Sequence, residues 1–223
     1  ELDDVVARAE AARAVLGPNR DFAIDFHGRV SVANARRLSV LLEPVRPLFI
    51  EEPVVPEKTA LLGQVVEASS VPVATGERLY HRTEFLPALQ AGIAVAQPDL
   101  SHAGGITEVR KIAALADVYD VQLAPHCPLG PIALASCLQI GFSTPNYLIQ
   151  EQSIGIHYND GADVLDYVLD TAPLQLEDGY ISLLTGPGLG VEIDEQAVRE
   201  ADRRGHSWRT PIWRHADGSF AEW

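Results

Sequence analysis

Six times along the chain, a short apolar run ends in an ionisable residue. The runs FAID, LFIE, VAT-GE, IAVAQPD, VQLAPH and YLIQE end at Asp25, Glu51, Glu77, Asp99, His126 and Glu151. Successive spacings are 26, 26, 22, 27 and 25 residues. Apolar runs this short match buried strands, and a repeat near 25 residues leaves room for one helix and two turns in each unit. Strand-then-helix repetition predicts parallel strands joined by crossover helices.

The intervening segments carry helical patterns. Residues 2–16 place Leu2, Val5, Val6, Ala9, Ala12, Val15 and Leu16 near a 3.6 period, and Gly17-Pro18 ends the run. Ser31 is positioned to cap a helix reaching Leu42. Further helices are predicted over 57–68, over 83–90, from Gly104-Gly105 onward, and over 132–140. Strands are predicted over 22–26, 48–50, 71–75, 93–97, 121–124 and 147–149. After Glu151 the repeat stops. The segment 164–170 (VLDYVLD) reads as a short helical stretch, 186–190 as a Gly-Pro-rich turn, and Asp194 as the start of a short helix. The tail holds Trp208, Trp213 and Trp223.

Ionisable groups at the C-terminal end of every strand favour a barrel, whose reactive groups gather at that mouth. An open doubly wound sheet would concentrate them at one switch point. Six strands fall short of eight, and the sequence contains no methionine. The expected architecture is therefore the later six units of a barrel whose first strands lie upstream. Residues 1–191 are expected to form this partial barrel, and 192–223 a tail packing on it or on another domain.

Net charge is −14, which disfavours nucleic acid and anionic lipid as partners. No run approaches the roughly 18 apolar residues of a membrane span. The opening ELDDVVARAE is acidic rather than a signal peptide. Cys127 and Cys137 show no metal or disulfide pattern and read as reduced thiols, so a cytoplasmic protein is expected.

The three equally spaced acids, Asp25, Glu51 and Glu77, make a candidate metal site. Oxygen donors alone suit Mg²⁺, whereas zinc favours nitrogen and sulfur. The bland alternative is that they cap helices or line a solvated rim. Glu52 is assigned a supporting place behind Glu51, and Arg78 a salt bridge. His27, two residues past Asp25, is expected on the same strand face as that ligand. Asp99 and His126 on adjacent strand ends are candidates for a pair in which the carboxylate orients the imidazole. Glu151 can support an oxyanion if it is held protonated. His102 precedes a helix start that could hold an anion. His81, His206 and His215 read as surface residues, and His157 has no assignment.

Taken together, IDFHG, FIEEPV, ATGERLYHRTEF, QPDLSHAGGITEVRKIA, APHCPLGPIALAS and LIQEQSIGIHYN resemble the mandelate racemase branch of the enolase superfamily. The resemblance implies a (β/α)₇β TIM-like barrel of the enolase C-terminal type, with an N-terminal α+β capping domain not contained in this chain. It implies Mg²⁺ held by Asp25, Glu51 and Glu77. His126 would be the base that takes the proton alpha to a carboxylate, with Asp99 as its partner. Glu151 would support the intermediate from the far side, and His27 would be the acid that assists loss of the 3-hydroxyl. The implied reaction is dehydration of a sugar acid, galactonate foremost, to the 2-keto-3-deoxy acid. Another acid-sugar dehydratase, a racemase or a catalytically inactive barrel are the alternatives. A small sugar acid and further copies of the chain are the expected partners.

Overall fold

The structure is a computed structural model, and it describes residues 2–156, 163–205, 214 and 216–219. Trp208, Trp213, Trp223, His157, His206 and His215 lie outside the described residues.

Five parallel strands form one sheet in sequential order: β1 (Ile24–Asp25), β2 (Ile50–Glu51), β3 (Val73–Thr75), β4 (Val95–Ala96) and β5 (Gln122–Leu123). Sequential order in a parallel sheet is the order of a barrel wall. The helices α1 (Leu2–Leu16), α2 (Val32–Leu41), α3 (Leu62–Val66), α4 (Arg82–Gln90), α5 (Gly105–Val118) and α6 (Pro131–Ser143) accompany the strands, and α7 (Glu195–Arg204) lies beyond them. Among the described residues no helix is long and apolar enough to cross a membrane.

Strand alternation divides the buried residues into two sets. Ile50, Val73, Ala96 and Leu123 join the large core with helix residues such as Leu38, Leu62, Phe85, Ile112 and Leu134. Phe49, Ala74, Val95 and Ala124 form a separate small cluster that contains no helix residue. Glu51 has the parity of Phe49, Gln97 that of Val95, and His126 that of Ala124. The small cluster is thus the floor on which the polar strand ends stand.

Local chemistry sets most helix boundaries. Ser31 Oγ accepts the Asn34 N–H at 3.3 Å and caps α2, as its sequence position predicts. Pro131 begins α6 at a position where its missing N–H costs nothing. Asp194 accepts the Ala197 N–H and caps α7. His81 caps α4 in a reciprocal box with Glu84.

Three expectations require correction. The helix predicted over 57–68 is a 3₁₀ segment, Pro56–Leu61, followed by the short α3, with a break in helical geometry at Lys58. Of the helical stretch over 164–170, only Val164–Tyr167 forms a 3₁₀ turn, and Val168 instead bridges Ile193. The sixth strand, predicted over 147–149, is reduced to one bridge between Leu123 and Tyr147. The Leu123 N–H donates to Asn146 O at 2.8 Å, and the Leu148 N–H to Leu123 O at 2.7 Å. The next donor in that ladder would be residue 125, a proline, which has no N–H. The Gln150 side-chain amide caps the Pro125 carbonyl at 3.0 Å.

Candidate active site

Asp25 and Glu51 end β1 and β2 and are register partners, so their side chains leave the sheet side by side. Asp25 Oδ1 accepts the His27 N–H at 2.7 Å, a short Asx turn that holds His27 (φ 49°) and Gly28 (φ 64°) in left-handed geometry. His27 therefore reaches the site from a turn, not by strand parity. Its Nε2 lies 3.3 Å from Glu77 Oε1.

Glu77 follows Gly76, whose φ of 147° suits only glycine. A Cβ there would lie 2.7 Å from Phe85 Cε1 and 2.8 Å from Gln97 N. The absent side chain lets β4 close against the end of β3, which sets Glu77 beside the groups of the next strands.

Asp99 Oδ2 lies 2.8 Å from His126 Nδ1, the pairing anticipated from adjacent strand ends. Asp99 is 1% exposed, and its Oδ1 accepts the Ser101 N–H at 2.6 Å. With Nδ1 so engaged, His126 Nε2 lies 3.6 Å from Glu77 Oε2. Glu77 thus has His27 on one oxygen and His126 on the other. Glu151 Oε2 accepts the Cys127 N–H at 2.8 Å. His102 Nδ1 stands 3.7 Å from Asp99 Oδ2 at the entrance to α5, and Tyr80 meets its ring edge-on. The surface His81 pairs with Glu108 at 3.2 Å. A cavity of about 310 Å³ opens beside Asp25, Phe26, His27 and Arg29.

Burial and crowding decide the charge states. Desolvation raises the pKa of Asp25, and it pushes Glu51 up to about 8 despite a hydrogen bond from Gln97. Desolvation likewise pushes Glu52 up to about 7 and raises Glu151. For Asp99 burial is again the largest influence and acts upward. The hydrogen bonds from His126 and Ser101 and the charge of His102 outweigh it and hold the carboxyl below its ordinary value. Burial depresses His126, but the Asp99 hydrogen bond and the carboxylates of Glu77 and Glu151 overcome it and push the imidazole up to about 9.

All seven residues singled out from the sequence thus belong to one mouth, β1 through the Leu148–Glu151 segment. Their geometry adds a complication. Among the described residues, a trio of ligand-capable atoms within 4.8 Å of one another is that of His27, Glu52 and Glu77. It is not the equally spaced trio of acids. Glu52 in that group is already paired with Arg78 Nη2 at 2.6 Å. Gln97, which bonds Glu51, was not among the sequence candidates. Its parity with Asp99 on the end of β4 was the available signal.

Comparison with known proteins gives the family. Residues 1–197 match the family described as enolase C-terminal domain-like. The chain is 53% identical over all 223 residues to a D-galactonate dehydratase of Variovorax paradoxus, and 56% identical to one of Ralstonia nicotianae. It spans 58% of the length of each of these relatives. Among solved structures, an enolase from Agrobacterium radiobacter with bound Na and L-malate matches with a TM-score of 0.88 at 34% identity, covering 99% of this chain and 58% of that one. A mandelate racemase/muconate lactonizing enzyme from Sulfitobacter matches with a TM-score of 0.82 at 38% identity, over 89% of this chain and 48% of that one. With a parallel sheet in barrel order and ionisable groups at each strand end, the chain belongs to the enolase C-terminal domain-like family.

Proposed function

We propose that this chain carries the proton-transfer and cation-binding groups of a D-galactonate dehydratase, a hydro-lyase producing the 2-keto-3-deoxy acid. The observation that carries the reading is Glu77 set between two imidazoles, His27 on Oε1 and His126 on Oε2. Elimination of water needs both a base for the alpha proton and an acid for the leaving hydroxyl. Two histidines on different loops around one centre supply them separately. The substrate comes from the relatives, which are D-galactonate dehydratases.

Mg²⁺ fits the proposed donor set. Asp25, Glu51 and Glu77 offer only carboxylate oxygens, and their mutual repulsion adds to burial in raising Asp25 and Glu51. When bound, the ion supplies positive charge that makes a proton alpha to a carboxylate more acidic. The rest falls to the chain. Unprotonated His126 Nε2 takes the C2 proton, while Asp99 fixes the tautomer through Nδ1 and stabilises the imidazolium. Glu151, whose pKa burial raises, can share a proton with a developing oxyanion when it is protonated, and the Cys127 N–H fixes its orientation. The electron pair left at C2 forms the C2–C3 double bond as the C3–O bond breaks. His27 gives its proton to the departing hydroxide, so that one water leaves. The enol then takes a proton at C3 and loses one from oxygen to become the ketone. In this reading residues 1–191 hold every reacting group, and 192–223 form a tail. Assembly of several copies is part of the same reading and is checked by sedimentation velocity.

The test is to incubate the full-length protein and Mg²⁺ with D-galactonate and a panel of other hexonates and pentonates, following 2-keto acid formation. Galactonate turnover is expected. Loss of water from none of them overturns the reading, and turnover of a different sugar acid relocates the substrate alone. Two imidazoles facing one centre also permit racemisation, which would show as C2 deuterium exchange without loss of water. Mg²⁺ binding without any turnover would mark an inactive barrel.

A further inference from the structure

Arg78 and Glu52 each follow a proposed cation ligand, Glu77 and Glu51, yet neither takes part in the chemistry above. Their arrangement is costly to build. Glu52 is 1% exposed, has a left-handed φ of 42° and precedes Pro53, a position where steric clash already narrows the backbone choices. Its backbone is held from both sides, the N–H on Ala74 O at 3.0 Å and the carbonyl by the Gly28 N–H at 2.8 Å. Residue 28 has no room for a side chain, because a Cβ would stand 2.6 Å from Val55 Cγ1 and 2.9 Å from Arg78 Nη2. Strain maintained by such surroundings points to a role. The Glu52 carboxylate meets Arg78 Nη2 at 2.6 Å. Without that partner it would be a buried charge beside His27 and Glu77, with ligand atoms of all three residues within 4.8 Å.

Such a trio mixes an imidazole nitrogen with carboxylates. Zinc and its neighbours in the transition series accept that mixture, while Mg²⁺ prefers oxygen donors alone. A cation seated there would also occupy His27, the proposed acid. We infer that Arg78 is a cation-selecting positioning residue: by pairing with Glu52 it withholds that carboxylate from a nitrogen-containing His27–Glu52–Glu77 site. The inference rests on the reading of Asp25, Glu51 and Glu77 as the Mg²⁺ ligands.

The test measures Zn²⁺ and Mg²⁺ binding by calorimetry on the full-length protein stripped with chelator. Wild type, Arg78→Met, Arg78→Lys, and each Arg78 variant combined with Glu52→Gln are compared. Arg78→Met should raise the ratio of Zn²⁺ to Mg²⁺ affinity at least about tenfold. Lysine keeps a positive charge but not the guanidinium that makes the Nη2 contact, so Arg78→Lys should shift the ratio the same way by less. Adding Glu52→Gln should cancel either shift. Arg78→Lys carries the test if the methionine variant does not fold. An unchanged ratio in the folded single variants, or a shift that survives Glu52→Gln, overturns the inference. Glu51→Gln in the wild-type background tests the underlying reading separately, since it should weaken Mg²⁺ binding at least about tenfold whatever Arg78 does.

Discussion

The mouth of the sheet has two arcs that handle charge in opposite ways. On the first, Asp25 and Glu51 are desolvated and repelled by neighbouring carboxylates, and both are raised. On the second, Asp99 and His126 satisfy each other at 2.8 Å, so the acid is lowered and the imidazole raised. One arc crowds buried carboxyls that resist ionisation, and the other is an internally balanced pair. Burial is similar in kind on both; on the second, the hydrogen bonds between Asp99 and His126 and from the Ser101 N–H, with the neighbouring opposite charges, outweigh it. Removing a carboxylate should therefore help the first arc and harm the second.

The largest effect expected is on chemistry. His126→Asn should lower solvent deuterium exchange at C2 of the substrate by about 10²- to 10⁴-fold, the usual worth of a positioned base. Exchange at the wild-type rate would remove His126 from that role. Next is a backbone test of the junction between the arcs. Gly76→Ala places a methyl against Gln97 N in a φ region closed to alanine, and should cost about 3 kcal/mol in chemical denaturation. Full stability would show that β4 can yield at that point.

The comparison itself is sharpened by Glu51→Gln. Cation-free protein should melt at the same temperature or slightly higher, because a repelled buried carboxyl is gone, while Mg²⁺ affinity falls at least about tenfold. Unchanged affinity would detach Glu51 from the cation. The smallest effect is a pH dependence on the second arc. Asp99 has a folded pKa below its ordinary 3.8, so its stabilisation is present above that value and is lost as pH falls through the folded one. Asp99→Asn should consequently destabilise the protein more at pH 6 than at pH 3. A difference independent of pH would mean that the carboxylate charge contributes nothing.

What the sequence made legible follows from the physics of the repeat. An apolar run, a polar stop and a helix mark each strand end without reference to anything distant, so Asp25, Glu51, Glu77, Asp99, His126 and Glu151 could be found from spacing alone. Adjacent strand ends then made the Asp99–His126 pair foreseeable. Contacts that depend on how loops fold back were not foreseeable. Nothing in a linear pattern announces that His27 is carried by an Asx turn, or that Gln97 reaches Glu51. The failure of the sixth strand lies in Pro125: the apolar YLI run favours a strand, but the residue it has to pair with has no N–H.

The turn at Asp25 has a consequence for how freely this site can change. One oxygen of that side chain holds the His27 N–H, and the charge of the same group belongs to the proposed ligand set. Asparagine would preserve the hinge and discard the charge. Glutamate would preserve the charge, but its extra methylene spoils the short loop-back to residue 27. The genetic code offers no third side chain with both properties. Position 25 is thus a point where two demands share one group, and any redesign of the reaction has to treat His27 and Asp25 as a single exchangeable part.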